Sequence, residues 1–146
     1  MDYANIALSV AQDVHDFESV SSYNEAQSLS SALVPHVALI GGFSPRRCGI
    51  ATFTTDVYAS LKSTFPSAKL DVYAVVPNNV DAVQYGAPVR SIFVENDAES
   101  YRELATRINA SDADVIWLQH EFGLFGGPAG RMILDLLAGL DRKSVV

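Results

Sequence analysis

Residues 36–65 read HVALIGGFSPRRCGIATFTTDVYASLKSTF and carry the clearest structural pattern in the chain. The first seven residues are an apolar run that ends in two glycines, which is typical of a buried strand. Beyond the PRRCG loop, apolar side chains recur at helical spacing: Ile50, Phe53, Val57 and Leu61. The pattern therefore predicts a strand over 36–42, a loop, and a helix over 49–65.

The same alternation continues toward the C-terminus. Further strands are predicted over 69–76, 88–94 and 113–120, with no clear helix between the second and the third. Asn96 followed by Glu99 is the pattern of a capping box and predicts a helix whose buried side chains are Tyr101, Leu104, Ala105 and Ile108. A last helix is predicted from about Pro128, with Met132, Leu136 and Leu140 on one side.

Strands that alternate with helices predict the α/β class, as a Rossmann-like, mostly parallel sheet flanked by helices. Ligands of such sheets bind beyond the carboxyl ends of the strands. Two loops that leave predicted strand ends, GGFSPRRCG and HEFGLFGG, each contain three glycines, and they carry an Arg–Arg pair and a His–Glu pair, respectively. If the first and fourth strands are neighbours, both loops face one crevice, where we expect the functional site.

Composition argues against a membrane-spanning protein, a secreted protein and a nonspecific nucleic-acid binder. The chain has 146 residues, of which 49% are hydrophobic, and no apolar run approaches the roughly 20 residues that a membrane helix needs. The N-terminus lacks the pattern of a secretory signal, and the single cysteine is Cys48, which fits a reducing cytoplasm. A net charge of −7 argues against nonspecific binding to nucleic acid or to anionic membranes.

The chain is predicted to divide at residue 34. Residues 1–34 hold five acidic residues and no Lys or Arg, and they are rich in serine. They are interpreted as an acidic tail or linker. Residues 35–146 are the predicted Rossmann-like domain.

The first loop has the features of an anion site. It lies at the predicted start of a helix, where unpaired N–H groups and a partial positive charge attract anions. Gly49 leaves the backbone open to a ligand, and Arg46 and Arg47 offer paired hydrogen bonds to phosphate or carboxylate. The alternative is that glycine and Pro45 shape the turn and that both arginines are simply solvated.

The second loop begins with His120 and Glu121 at a predicted strand end. A histidine there can exchange a proton or a hydrogen bond with a ligand near neutral pH. The alternative is a structural histidine. Because no second histidine stands at zinc-protease spacing and Cys48 forms no ligand cluster, no metal is expected.

Two motifs together resemble the N-terminal domain of family 4 glycosyltransferases: PRRCGIATFTTDVYASL and VIWLQHEFGLFGGPAGRMILDLL. Their order and separation match that family, and the resemblance covers roughly residues 35–146. It implies the acceptor-side half of an enzyme with two Rossmann-like domains. Such enzymes transfer a sugar from a nucleotide-sugar donor to an acceptor with retention of configuration, and they require no metal or other cofactor.

The resemblance also implies roles for individual residues. Gly49 matches the second glycine of the turn that approaches the donor diphosphate, whereas Cys48 stands where many members have the first. Arg46 and Arg47 belong to the PRRCG variant of this motif, and we infer that they contact the same diphosphate. His120 matches a histidine near the transferred sugar or the acceptor, and is the catalytic candidate. Three further residues are placed on the acceptor side: Glu121, Gly126 and Gly127.

The chain departs from the family pattern after residue 146, where the donor-binding domain would follow. The expectation is an incomplete half that is inactive alone, with a second polypeptide as a possible partner. Two alternatives stay open. One is a noncatalytic binding or partner module, and the other is an enzyme with Cys48 as nucleophile and His120 as base.

Overall fold

A computed structural model describes residues 35–78, 84–141 and 144–145. The strands are β1 (Val37–Gly41), β2 (Leu70–Val76), β3 (Val89–Val94), β4 (Val115–Leu118) and β5 (Ser144–Val145). The helices are α1 (Gly49–Thr64), α2 (Ala98–Asn109) and α3 (Ile133–Gly139), and a short 3-10 turn (Pro128–Gly130) precedes α3.

The strands form one sheet in the order β3-β2-β1-β4-β5, and each neighbouring pair is parallel. This confirms the predicted α/β, Rossmann-like sheet flanked by helices. Ile40 of β1 pairs with Tyr73 of β2 on one side and with Leu118 of β4 on the other. The first and fourth strands are therefore neighbours, and the loops that follow them leave the same edge of the sheet.

Alternating side chains along the strands fill two cores. Ala38 and Ile40 of β1 belong to the larger core, which also contains the buried side chains of α2 and α3. Leu39, between them, belongs to the smaller core together with Phe43, and Tyr58 of α1 packs against that core. Fully burying a side chain of this size contributes about 1.5–3 kcal/mol, so the two cores together fix the helices on the sheet.

The predicted helix over 49–65 corresponds to α1, but its most buried residues are not the four apolar ones at helical spacing. Ala51 and Thr54 are the buried residues of this helix, whereas Phe53 is 54% exposed. The physical reason lies at the end of β1, where a Cβ atom on Gly42 would stand 3.4 Å from the Cβ of Ala51. Because the helix approaches the strand this closely, a small side chain fits at Ala51. Ile50 packs partly against the larger core, and of the four apolar residues at helical spacing only Phe53 is exposed.

The start of α2 differs from the prediction by one residue. Asp97 is the N-cap, and its side chain accepts a hydrogen bond of 3.0 Å from the Glu99 N–H. An aspartate at this position satisfies an N–H group that has no partner within the helix. The predicted buried side chains are confirmed: Tyr101, Leu104, Ala105 and Ile108.

The last helix begins later than predicted. Ala129 and Gly130 have φ angles of 54° and 76°, so the chain cannot continue as an α-helix from Pro128. Regular helix starts at Ile133, and Leu136 is buried as expected. Met132 and Leu140, which were also predicted on this side, are partly buried against the larger core.

Some predictions fall outside the described residues. They include the tail at 1–34 and residues 79–83 of the connection between β2 and β3. Within the described part of the chain, no helix is both long and apolar enough to cross a membrane.

Candidate functional site

The carboxyl edge of the sheet brings the two predicted loops side by side. The Gln119 N–H donates a 2.8 Å hydrogen bond to the Ile40 carbonyl, so the strand pairing extends one residue beyond β4, to the residue that precedes the second loop. A Cβ atom on Gly41 would lie only 3.0 Å from the Cβ of Gln119. The absence of a side chain at Gly41 therefore permits this close approach of the two segments.

Arg46 is not simply solvated. Its guanidinium donates to the Val75 carbonyl and to the Glu95 carboxylate, both over 3.4 Å, and the side chain is only 18% exposed. Arg46 thus crosses from the β1 loop to the ends of β2 and β3. Arg47 beside it is exposed, so the two adjacent arginines occupy different environments.

Both arginines line a cleft of about 360 Å³. The other lining residues are Pro45, Cys48, Pro77, Gln84 and Tyr85. Burial raises the pKa of Tyr85, and Arg46 offsets part of that rise. The Tyr85 hydroxyl therefore stays protonated at neutral pH and can donate a hydrogen bond into the cleft.

Helix α1 begins at this cleft. Cys48 is its N-cap, no side-chain hydrogen bond caps the helix, and no acidic residue stands in its first turn. A Cβ atom on Gly49 would meet nothing within 4 Å, so packing among neighbouring residues does not demand glycine there. The open backbone and the partial positive charge of the helix start suit an anion.

Glu95, which sequence reasoning missed, and Asn96, which it placed only at a helix start, connect the loops of this edge. The Tyr101 hydroxyl donates to the Glu95 carbonyl over 2.8 Å and accepts from the Gly126 N–H over 3.1 Å. Asn96 accepts from the Gly127 N–H over 3.4 Å. The sequence could have indicated both residues as part of the site, because Glu95 and Asn96 directly follow the predicted third strand at its carboxyl end.

Gly126 and Gly127, predicted on the acceptor side, both have structural reasons to be glycine. A Cβ atom on Gly126 would stand 1.9 Å from the Glu95 carbonyl oxygen, which is impossible without displacement of the backbone. Gly127 has a φ angle of 78°, which glycine adopts readily. Gly127 also lines a second cavity, of about 210 Å³, with Arg131 and Asp135 among its other residues.

His120 and Glu121 are exposed at the carboxyl edge. The His120 ring lies between Phe122 and Phe125, with ring centroids 5.6 Å away in both cases. The Glu121 carbonyl accepts a 3.1 Å hydrogen bond from the Leu124 N–H and so shapes the turn. His120 is therefore accessible to a ligand, and its catalytic role stays a prediction.

Cys48 is a half-buried free thiol at the start of α1. Its carbonyl accepts a hydrogen bond of 3.1 Å from the Thr52 N–H. In the described residues, no group of three or more His, Cys, Asp and Glu side chains is arranged to hold a metal ion.

No family model matches this chain, and neither does any curated protein or solved structure. The arrangement itself defines the class as a Rossmann-like α/β domain with a basic cleft at the carboxyl edge of its sheet.

Proposed function

We propose that residues 35–146 form the acceptor-side half of a retaining glycosyltransferase that uses a nucleotide-sugar donor. The observation that carries the proposal is the cleft where Arg46, Arg47 and the open start of α1 meet at the carboxyl edge. Such a cleft suits a diphosphate, because guanidinium and backbone N–H groups both donate to phosphate oxygens. The resemblance of both motifs to family 4 glycosyltransferases supplies the reaction class.

In this proposal the cleft stabilises the leaving group. The bond between the anomeric carbon and a diphosphate oxygen breaks while a bond from that carbon to the acceptor forms, and the acceptor's proton passes to the diphosphate. Negative charge grows on the departing diphosphate during this exchange. Arg47 and the N–H groups at the start of α1 stabilise that charge. The acceptor lies along the loop of His120 and Glu121, and the donor's base and sugar are held by a second domain.

The first test is binding of a nucleoside diphosphate to the purified chain. We expect Arg47→Ala to weaken binding about tenfold, because charge-assisted contacts contribute roughly 1.5–3 kcal/mol. The melting temperature should stay nearly constant, since the side chain is exposed. The matched control is Lys69→Ala, which removes an exposed cation at the opposite edge of the sheet. Equal effects of both substitutions would show a nonspecific charge effect and contradict the diphosphate site.

The second test concerns turnover. The chain is incubated with a panel of nucleotide sugars, and released nucleotide is measured with and without the polypeptide encoded directly downstream. We expect release only when a donor-binding domain is present, because the reaction needs donor and acceptor held together in one cleft. Steady release by the chain alone would contradict the proposal of a half-enzyme. Diphosphate binding without release under either condition would favour the noncatalytic binding module.

A further inference from the structure

A separate cavity of about 290 Å³ lies on the α2 side of the sheet. It is lined by Tyr73, Arg90, Ser91, Arg107, Ala110 and Ser111, none of which belongs to the carboxyl-edge cleft. Arg90 and Ser91 stand near the start of β3, and Arg107 stands in the last turn of α2. The cavity is therefore displaced from the carboxyl edge toward the amino ends of the strands.

An irregularity in the sheet shapes this cavity. Val72 pairs with Val89, but the next residue, Tyr73, pairs with Ser91, so Arg90 is an extra residue in β3. A bulge of this kind redirects side chains relative to the regular alternation of a strand. Its consequence here is that two successive residues, Arg90 and Ser91, line the same cavity.

One hydroxyl group in the cavity has hydrogen-bonding capacity to spare. Ser91 Oγ is buried and has no hydrogen-bond partner within the described part of the chain. The Tyr73 hydroxyl is also buried, and the neighbouring Ser111 side chain interacts with it. Burial, followed by the charge of Asp71, raises the pKa of Tyr73, and the Ser111 side chain offsets part of that rise. The phenol is therefore protonated at neutral pH. A buried hydroxyl without a partner is uncommon and calls for one, such as a bound ion or an ordered water.

The two arginines at the cavity supply positive charge that can turn toward a ligand. Arg90 contacts the Asp71 carboxylate at 2.9 Å, and Arg107 contacts that of Glu103 at 3.3 Å. Arg107 and Glu103 are both more than half exposed, so their pair is weak. Arg90 is half exposed, whereas its partner Asp71 is only 13% exposed. Each pair uses one guanidinium nitrogen and leaves other N–H donors available.

We propose that this cavity binds a phosphate group, either as free phosphate or as part of a small phosphorylated molecule. Two guanidinium groups and the Ser91 hydroxyl line one small volume, and the oxygens of a phosphate, which point in tetrahedral directions, can accept from all of them. A carboxylate presents its two oxygens in one plane and suits donors on several sides less well.

The test uses the full chain and inorganic phosphate, with chloride at equal ionic strength as the reference. Amide chemical shifts are followed by NMR. We expect phosphate-specific changes at Ser91, Ala110 and Ser111, in addition to any at the carboxyl-edge cleft. A parallel titration with a hexose phosphate distinguishes the two sources, because tighter binding of the ester would assign the site to a phosphorylated molecule. The absence of phosphate-specific changes at these amides with both ligands would overturn the proposal.

Single substitutions test whether the residues that line the cavity bind the phosphate. Arg107→Gln should weaken phosphate binding in the cavity about tenfold. The matched control is Arg102→Gln, which removes another exposed arginine of α2 that is paired with an acidic neighbour but lies outside the cavity. Equal effects of the two substitutions would overturn the site.

Ser91→Ala gives an independent readout. It should keep or raise the melting temperature without phosphate, because it removes a buried hydroxyl that has no partner. It should also reduce the rise in melting temperature that phosphate produces in the unmodified chain. An undiminished phosphate effect in Ser91→Ala would contradict the proposal.

Discussion

Arg46 and Arg47 are adjacent in the PRRCG motif but differ in how well each one tests the cleft. The sequence places two arginines side by side, but in the fold Arg46 is paired with Glu95 and Arg47 is exposed. Arg46→Ala would therefore remove a partly buried ion pair as well as a candidate ligand contact. Arg47 is the cleaner probe of the cleft, because its substitution affects binding with little effect on folding.

Glu95 gives a prediction at the same scale. Its carboxylate competes with any bound anion for Arg46, so Glu95→Gln should strengthen binding of a nucleoside diphosphate by about threefold to tenfold. The cost in stability should be about 1 kcal/mol or less, as for other ion pairs near the surface. The measurement is the Kd at fixed ionic strength, beside thermal unfolding. Unchanged or weaker binding would show that Arg46 does not contact the diphosphate.

One hydroxyl group bridges two elements of the carboxyl edge. Tyr101 of α2 connects the end of β3 to the loop after β4, through the Glu95 carbonyl and the Gly126 N–H. Gly126 must be glycine for that approach, whereas Gly49 faces open space. These two glycines look alike in the sequence, yet the first is required by packing and the second leaves a helix start accessible.

Tyr101→Phe should therefore lower the free energy of unfolding by about 1–3 kcal/mol, because it leaves two backbone groups without their partner. Chemical denaturation measures this cost. Tyr58→Phe is the comparison, since Tyr58 lies half-buried on α1, beside the other core, and its substitution should cost less. Equal costs would show that the bridge between the two loops contributes nothing measurable.

The whole molecule should lose stability in alkaline solution. The pKa values of Tyr73, Tyr85 and Tyr101 are all raised above 10.0, chiefly by burial. Folding thus favours the protonated phenols. The stability that these three phenols contribute is fully present below their pKa in the unfolded chain, which is about 10. It is lost as the pH rises from there through their raised pKa values in the folded protein. Unfolding free energies measured across this range should fall, and less steeply in Tyr101→Phe. An equal slope in that variant would contradict the assignment to Tyr101.

Sequence by itself determined the parts of this protein that depend on neighbours along the chain. The apolar run before Gly41, the buried stripe of α2 and the glycine-rich loops at strand ends all follow from local periodicity and turn chemistry, and they predicted the α/β class. Only the tertiary structure decided which face of α1 is buried, that Arg46 pairs with Glu95 49 residues away, and that Gly126 packs against the Glu95 carbonyl. These contacts depend on strand order and on how closely elements approach, and no local pattern encodes those distances.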